Sequence, residues 1–170
     1  KRSGRALCQN PKILKPLIIG GNQEGSLRSG TENIPYIAAM GLASEIVTKS
    51  LKKNILHIKS LEKQFKQKLQ SNFRNIIFNG SQSQKLPGLV SISFPRFRSD
   101  ILIIKLDREK IYVSNGSACG SGLVKPSHVL KAIGLDESTN LSTLRFSFGI
   151  SNNFEEIETL VHILKNKILK

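Results

Sequence analysis

The chain has 170 residues, of which 39% are hydrophobic, and its 26 Lys and Arg against 12 Asp and Glu give a net charge of +14. This length and apolar content predict an ordinary domain core and exclude a collagen, a disulfide scaffold and a wholly disordered chain. No apolar run reaches the roughly 18 residues of a membrane span, and the first residues lack the pattern of a signal peptide. We therefore expect a cytoplasmic protein whose two cysteines, Cys8 and Cys119, are reduced.

The positive charge suggests a polyanionic partner, but its distribution along the chain argues against one. Lysines are scattered throughout, and their densest run, 49–68, has the spacing of a solvated helix face. Aromatic residues make up only 6% of the chain, and none is interleaved with that run to stack on bases. A solvated face is therefore favoured, and a basic nucleic-acid-binding module stays open as an alternative function.

Short strand ends are predicted near the start of the chain, at 6–9 and 16–19, because each is a brief apolar run. A polar, glycine-rich segment follows at 20–30. Ser29-Gly30-Thr31 then precedes a helix, where backbone N–H groups and a hydroxyl can receive an anion such as phosphate, with Arg28 adding charge. An ordinary helix cap explains the same residues and stays open as the alternative.

A single long helix is predicted over 33–70, where apolar residues recur at three- and four-residue steps. Thr31 or Asn33 can cap its start. At 1.5 Å per residue such a helix reaches about 55 Å, which exceeds the width of a small domain. We therefore expect it to link two domains.

The rest of the chain alternates short strands and short helices. Strands are predicted at 75–78, 89–94, 111–113 and 143–148, and helices are predicted to begin at Ser99, Pro126 and Asn152. This order predicts an α+β fold, with a small α+β sandwich following the long helix.

The most informative local feature is Cys119, which lies in the run Ser-Asn-Gly-Ser-Ala-Cys-Gly-Ser-Gly at 114–122. A buried structural cysteine has apolar neighbours, whereas a run of Gly and Ser buries little area and is costly to order. We therefore expect an accessible thiol suited to nucleophilic sulfur chemistry, with Lys125 and His128 favouring the thiolate. An incidental cysteine in an ordinary loop is the open alternative.

Arg145 is the second candidate functional residue, and it lies between Leu144 and Phe146 on a predicted strand. An arginine that points inward from a strand needs an anionic partner, and its planar fork suits the α-carboxylate of a substrate. The alternative is a solvent-facing residue on an alternating strand.

Four motifs, in this order, resemble those of cysteine desulfurases of the NifS/IscS type, which are pyridoxal-phosphate enzymes of the class V aminotransferase group. They are GGNQEGSLRSGTEN at 20–33, SACGSG at 117–122, PSHVLKAIGL at 126–135 and LRFSFG at 144–149. The resemblance covers nearly the whole chain. It departs from the family pattern at Asn22, where a glycine is usual, and at Gly120, where a serine is usual.

The resemblance implies a role for each matching residue. Cys119 would attack the sulfur of bound L-cysteine and become a persulfide, leaving alanine, and Arg145 would hold the substrate carboxylate. Thr31 would reach the phosphate of pyridoxal phosphate across a homodimer interface. An iron–sulfur scaffold or another sulfur-acceptor protein would then take the sulfur, and neither a metal site nor a membrane is implied. Another class V enzyme without cysteine chemistry, such as an aminotransferase, is the alternative.

The resemblance also implies a domain division within the C-terminal part of a fold type I pyridoxal-phosphate enzyme. Residues 1–32 would be a remnant of the large cofactor domain, 33–71 the linking helix, and 72–170 the small α+β domain, with the active-cysteine loop at 114–125. The Schiff-base lysine would precede the first residue, so the isolated chain is expected to be inactive. Cys8 is expected to be a buried packing residue.

Overall fold

The computed structural model of the chain describes residues 4, 7–116 and 125–169. The chain divides into two compact units, Lys1–Leu51 and Lys52–Lys170. None of the helices in the described part of the chain combines the length and hydropathy needed to cross a membrane.

The regular elements among the described residues are helices and one small sheet, in agreement with the predicted α+β class. The helices are a 3-10 turn at Pro11–Ile13, α1 at Gln23–Ser26, α2 at Ile34–Asn72, α3 at Ser99–Arg108, α4 at His128–Ala132, α5 at Glu137–Leu141 and α6 at Phe154–Ile163, which continues as a π-helical turn at Leu164–Ile168. The strands are β1 at Ile77–Phe78, β2 at Leu89–Ser93 and β3 at Thr143–Ser147. They form an antiparallel sheet in the order β1-β2-β3.

The first unit contains no buried side chain among its described residues. The predicted strand at 16–19 is wrong, because these residues adopt irregular backbone, and 7–9 are likewise not extended in a sheet. Leu17 and Ile19 remain 95% and 87% exposed. A brief apolar run becomes a strand only where a neighbouring backbone pairs with it along its length. Cys8, expected to be buried, is only partly covered.

The sheet of the second unit has one apolar and one polar face, because successive side chains of a strand point to opposite sides. On the apolar face, Val90 lies opposite Phe146, and Ile92 lies opposite Leu144. All four are at most 2% exposed. The other face carries the cross-strand pairs Ser91–Arg145 and Ser93–Thr143. The core therefore occupies one side of the sheet, and Arg145 belongs to the other.

One hydrophobic cluster joins the apolar face of the sheet to three helices. Phe65 of α2 is fully buried, and its ring centroid lies 5.0 Å from that of Phe146. The other buried contributors from helices include Leu61 and Leu69 of α2, Leu102 and Leu106 of α3, and Ile157, Leu160 and Val161 of α6. The long helix predicted over 33–70 is therefore confirmed as an element, and its turns from 61 to 69 form part of the core.

A buried carboxylate fixes the turn that leads into β2. Glu62 of α2 is 9% exposed and accepts hydrogen bonds from Lys66 (2.9 Å), Lys85 (2.8 Å) and the Gly88 N–H (3.0 Å). Burial alone raises the pKa of Glu62, but the hydrogen bonds from Lys85, Lys66 and Gly88 outweigh it and hold the pKa below its ordinary value. Gly88 itself has φ of +80°, and a Cβ there would overlap Ile58.

Candidate active site

The glycine-rich segment before α2 is closed by hydrogen bonds within the first unit. The Ser29 N–H donates to the Ile18 carbonyl (3.2 Å), and the Gly30 N–H donates to Oε1 of Gln23 (3.2 Å). The Arg28 guanidinium, predicted to add charge for an anion, donates Nη1–H to the carbonyls of Ser29 (3.1 Å) and Gly30 (2.6 Å). Arg28 therefore stabilises this segment from within.

Thr31, the predicted phosphate ligand, follows this closed segment and precedes α2. Its side chain is exposed, and it comes directly after Gly30, whose φ of +101° turns the chain toward the helix. The Asn33 carbonyl accepts the hydrogen bond from the Ile37 N–H (3.0 Å), so the helical bonding begins at Asn33. An exposed hydroxyl beside the amino end of a helix is a suitable donor for a phosphate.

Arg145 lies in the middle of β3, on the polar face of the sheet of the second unit, and is half-buried. The ion pairs among the described residues involve Lys49, Lys66, Lys68, Lys85, Arg98 and Lys167, and none of them includes Arg145. A half-buried arginine with no ion-pair partner in this part of the chain can bind the carboxylate of a small molecule with two parallel hydrogen bonds.

Ser114 is the first residue of the predicted active-cysteine loop, 114–125, which is called the cysteine segment from here on. It pairs with Arg145 of β3. The Arg145 N–H donates to the Ser114 carbonyl (2.7 Å), and the Ser114 N–H donates to the Arg145 carbonyl (3.2 Å). One residue later, Nδ2 of Asn115 donates to Oγ of the buried Ser99 (3.3 Å). Residues 111–113, predicted as a strand, are irregular, and the pairing is confined to Ser114 within the described chain.

Ser127 fixes the chain on the other side of the cysteine segment. It is buried and caps α4, its Oγ accepting from the Leu130 N–H (3.5 Å). Its main chain is bound by Asn140, a residue that the sequence analysis did not single out. A Cβ built on Gly116 would lie 3.9 Å from the Ser127 Cβ, so the two described ends flanking the segment approach each other closely.

Cys119 itself, the predicted catalytic residue, lies outside the described residues, as does the rest of 117–124. The described residues that follow position 124 include Lys125 and His128, which are both exposed. The structure therefore places Arg145 next to the start of the cysteine segment, and Thr31 in the other unit.

Comparison with known proteins identifies the family of the chain. The sequence profile of the aminotransferase class-V family matches residues 17–160. The chain belongs to the class-V aminotransferase family. This confirms the resemblance drawn from the four motifs, all of which lie wholly within the matched residues.

The similar proteins include curated cysteine desulfurases and solved structures of the same kind. The chain is 38% identical over 155 residues to the mitosomal cysteine desulfurase of Encephalitozoon cuniculi, which covers 91% of this chain and 35% of that protein. It is 36% identical to a cysteine desulfurase IscS of Pseudoalteromonas translucida, over 88% of this chain and 36% of that protein. A NifS-like protein from Rickettsia africae superimposes with a TM-score of 0.74 at 34% identity, over 87% of this chain and 38% of that chain. The chain therefore spans little more than a third of the length of these relatives.

Proposed function

We propose that this chain is part of a cysteine desulfurase, which takes sulfur from L-cysteine as a persulfide on Cys119 and leaves L-alanine. The names of the curated relatives support this activity. The observation that carries the proposal is the paired backbone contact between Ser114 and Arg145, because it sets the start of the cysteine segment directly opposite an arginine that has no ion-pair partner in the described chain.

In this proposal Arg145 binds the carboxylate of L-cysteine and orients its side chain toward Cys119. The Cys119 thiolate attacks the substrate sulfur, so that a sulfur–sulfur bond forms and the bond between that sulfur and the substrate Cβ breaks. The electron pair of the broken bond stays with the carbon skeleton, which takes up a proton and leaves as alanine. The oxidation of the two sulfurs is balanced by the reduction of Cβ, and no further oxidant is required.

Pyridoxal phosphate supplies an electron sink for the substrate Cα when it is bound. Within this chain, the exposed Thr31 hydroxyl before α2 fits the phosphate end of that cofactor. We assign no other cofactor contact to the described residues. The positive end of α2 adds to the attraction for a phosphate.

The organisation and partners of the whole protein are part of the same proposal. Residues 1–32 would belong to a larger cofactor domain, 33–71 would link it to a small domain at 72–170, and two such proteins would form a homodimer. An iron–sulfur scaffold or another sulfur-acceptor protein would receive the persulfide sulfur. A cytoplasmic location is proposed, although one similar protein is named as mitosomal.

The test is mass spectrometry of the full-length protein after incubation with L-cysteine and pyridoxal phosphate. We expect one additional sulfur atom on the peptide that contains Cys119, and none in Cys119→Ala. Arg145→Ala is expected to raise the KM for cysteine at least about tenfold, because charge-assisted hydrogen bonds to the carboxylate are lost.

Cys8→Ala is the matched control, because it removes the other cysteine of the chain and is expected to leave the added sulfur unchanged. Release of alanine by Cys119→Ala at the original rate would refute the assignment. That outcome would favour a class V enzyme that uses no cysteine nucleophile.

A further inference from the structure

Asn140, in α5, is a buried asparagine that binds both main-chain groups of one distant residue. Its side chain is almost wholly enclosed, since the residue is 5% exposed. Oδ1 of Asn140 accepts from the Ser127 N–H (2.8 Å), and Nδ2 of Asn140 donates to the Ser127 carbonyl (2.9 Å). Two hydrogen bonds from one planar amide fix both the position and the orientation of the Ser127 backbone.

The helix that carries Asn140 is itself bonded to the strand that carries Arg145. The Thr139 carbonyl accepts hydrogen bonds from the hydroxyls of Ser142 (2.8 Å) and Thr143 (2.8 Å), and Thr143 is the first residue of β3. The Thr143 hydroxyl is also bonded to the Ser93 hydroxyl of β2 (2.7 Å). A continuous set of hydrogen bonds therefore connects Ser127, through Asn140 and α5, to the sheet.

Asp136 keeps α5 in place over a wide range of pH. Its carboxylate caps the helix by accepting from the Thr139 hydroxyl (2.6 Å) and the Thr139 N–H (3.0 Å). These hydrogen bonds, that of the hydroxyl first, lower the pKa of Asp136 to about 2. The cap therefore remains charged at every pH at which the protein would work.

Both ends of the cysteine segment are thus connected to the same strand, β3, by hydrogen bonds. Ser114, on the upstream side, pairs directly with Arg145, whereas Ser127, on the downstream side, reaches β3 through Asn140 and Thr139. We infer that Asn140 is a positioning residue, which fixes the downstream end of the segment carrying Cys119 relative to Arg145. This role rests on the proposed function of Cys119 and Arg145, and extends it to a residue outside the family motifs quoted above.

The test uses the full chain in a Cys8→Ser background, with a nitroxide spin label on Cys119. We expect Asn140→Ala to shorten the rotational correlation time of the label at least about twofold, since two hydrogen bonds of the anchor are lost. Amide exchange at Ser127, followed by NMR, is expected to accelerate about tenfold or more in the same variant.

Two matched variants separate positioning from general loosening. Asn79 is also a buried asparagine, and its Nδ2 donates to Oγ of Ser93 (2.8 Å) at the sheet end of this set of hydrogen bonds, whereas the side-chain amide bound to the Ser127 main chain is that of Asn140. Asn79→Ala is therefore expected to leave the motion of the label unchanged. Asn140→Asp in its protonated form keeps an oxygen that accepts from the Ser127 N–H and a hydroxyl that can donate to the Ser127 carbonyl. At about pH 4 we therefore expect it to preserve most of the amide protection that Asn140→Ala loses.

Equal label motion in Asn140→Ala and the parent chain, or equal increases in the Asn140 and Asn79 variants, would overturn the inference. Equal loss of Ser127 protection in Asn140→Asp and Asn140→Ala would also contradict it. Neither the label motion nor the amide exchange requires pyridoxal phosphate, the substrate L-cysteine or catalytic turnover. An absence of persulfide on Cys119 would therefore refute the proposed function and leave the anchoring result standing. Unchanged label motion in Asn140→Ala would refute the anchoring and leave the proposed function standing.

Discussion

The two units of the chain differ in how they treat their apolar residues, and α2 contributes to both. Between 34 and 51 its large apolar side chains are exposed, except for the half-buried Met40; Leu42, for example, is 59% exposed. Between 61 and 69, Leu61, Phe65 and Leu69 of the same helix are fully buried. The apolar spacing is similar in the two stretches, so periodicity alone does not create a core.

The comparison shows that a sequence pattern reveals which face of a helix can be buried, and that only tertiary packing determines whether it is. The second unit has a sheet face and two further helices to cover its part of α2. No described residue of the first unit is buried, so we expect its local stability to be low.

The largest expected effect comes from the same substitution made in each half of α2. Leu61→Ala removes a fully buried side chain, and we expect it to lower the free energy of unfolding by about 2–5 kcal/mol. Leu42→Ala, in the exposed half, is expected to change it by less than about 0.5 kcal/mol. Urea denaturation followed by circular dichroism measures both. Similar losses in the two variants would show that the first unit shares the core's stability.

A smaller effect is expected where α2 approaches the turn before β2. Gly88→Ala places a Cβ against Ile58 and 2.9 Å from the Phe148 carbonyl oxygen, in a backbone with positive φ. We expect a loss of at least about 2 kcal/mol in the same denaturation experiment. Gly134, with φ of +91° and open space around it, is the matched control, and Gly134→Ala is expected to cost about 1 kcal/mol. Equal losses of stability in the two variants would mean that the close approach of Gly88 to Ile58 of α2 adds nothing to the cost of the substitution.

The smallest effect is a pH dependence that belongs to the second unit. The pKa of Glu62 is lower in the folded protein than its ordinary value of 4.5, so its stabilisation is present above that value and is lost as the pH falls through the folded pKa. Glu62→Gln is expected to be about 1 kcal/mol less stable at pH 7, with the difference narrowing below pH of about 4.5. Thermal unfolding at a series of pH values measures this.

Glu45→Gln provides the comparison from the first unit. Glu45 pairs with Lys49 on the surface, where its side chain is 57% exposed. An exposed ion pair of this kind contributes little to stability, so no measurable difference from the parent chain is expected at pH of about 7. A pH-dependent loss in this variant, equal to that of Glu62→Gln, would contradict the contrast between the units.

Much of the second unit was predictable from the sequence, because its strong local signals agree with its tertiary packing. The terminal helix, predicted to begin at Asn152, is capped by Asn153, whose Oδ1 accepts from the Glu156 N–H (2.9 Å), while the Glu156 carboxylate accepts from the Asn153 N–H (3.1 Å). Helix α5 was missed, since its five residues, Glu-Ser-Thr-Asn-Leu, are mostly polar and show no period. Its structure depends on the Asp136 cap and on contacts with β3, which a short window of sequence does not contain.

The candidate site was predictable to a different degree for each residue. The alternation around Arg145 indicated correctly that it lies on a strand, but not which face of the sheet would be polar, because that depends on where the helices pack. Asn140 gave no signal, since its partner lies 13 residues away and the contact involves only backbone groups of Ser127. Such a contact is set by the fold, and any residue type with a backbone N–H, that is, any except proline, could make it from the partner position.

The close approach of Gly116 and Ser127 has a consequence for how many residues the chain can carry between them. The entropy of closing a flexible stretch grows slowly with its length, by only about 0.6 kcal/mol for each doubling. A change in the number of residues between these two points therefore costs little in closure entropy. Under the proposed function, evolution or engineering can therefore adjust the length of chain that carries the thiol while Arg145 keeps its place in β3.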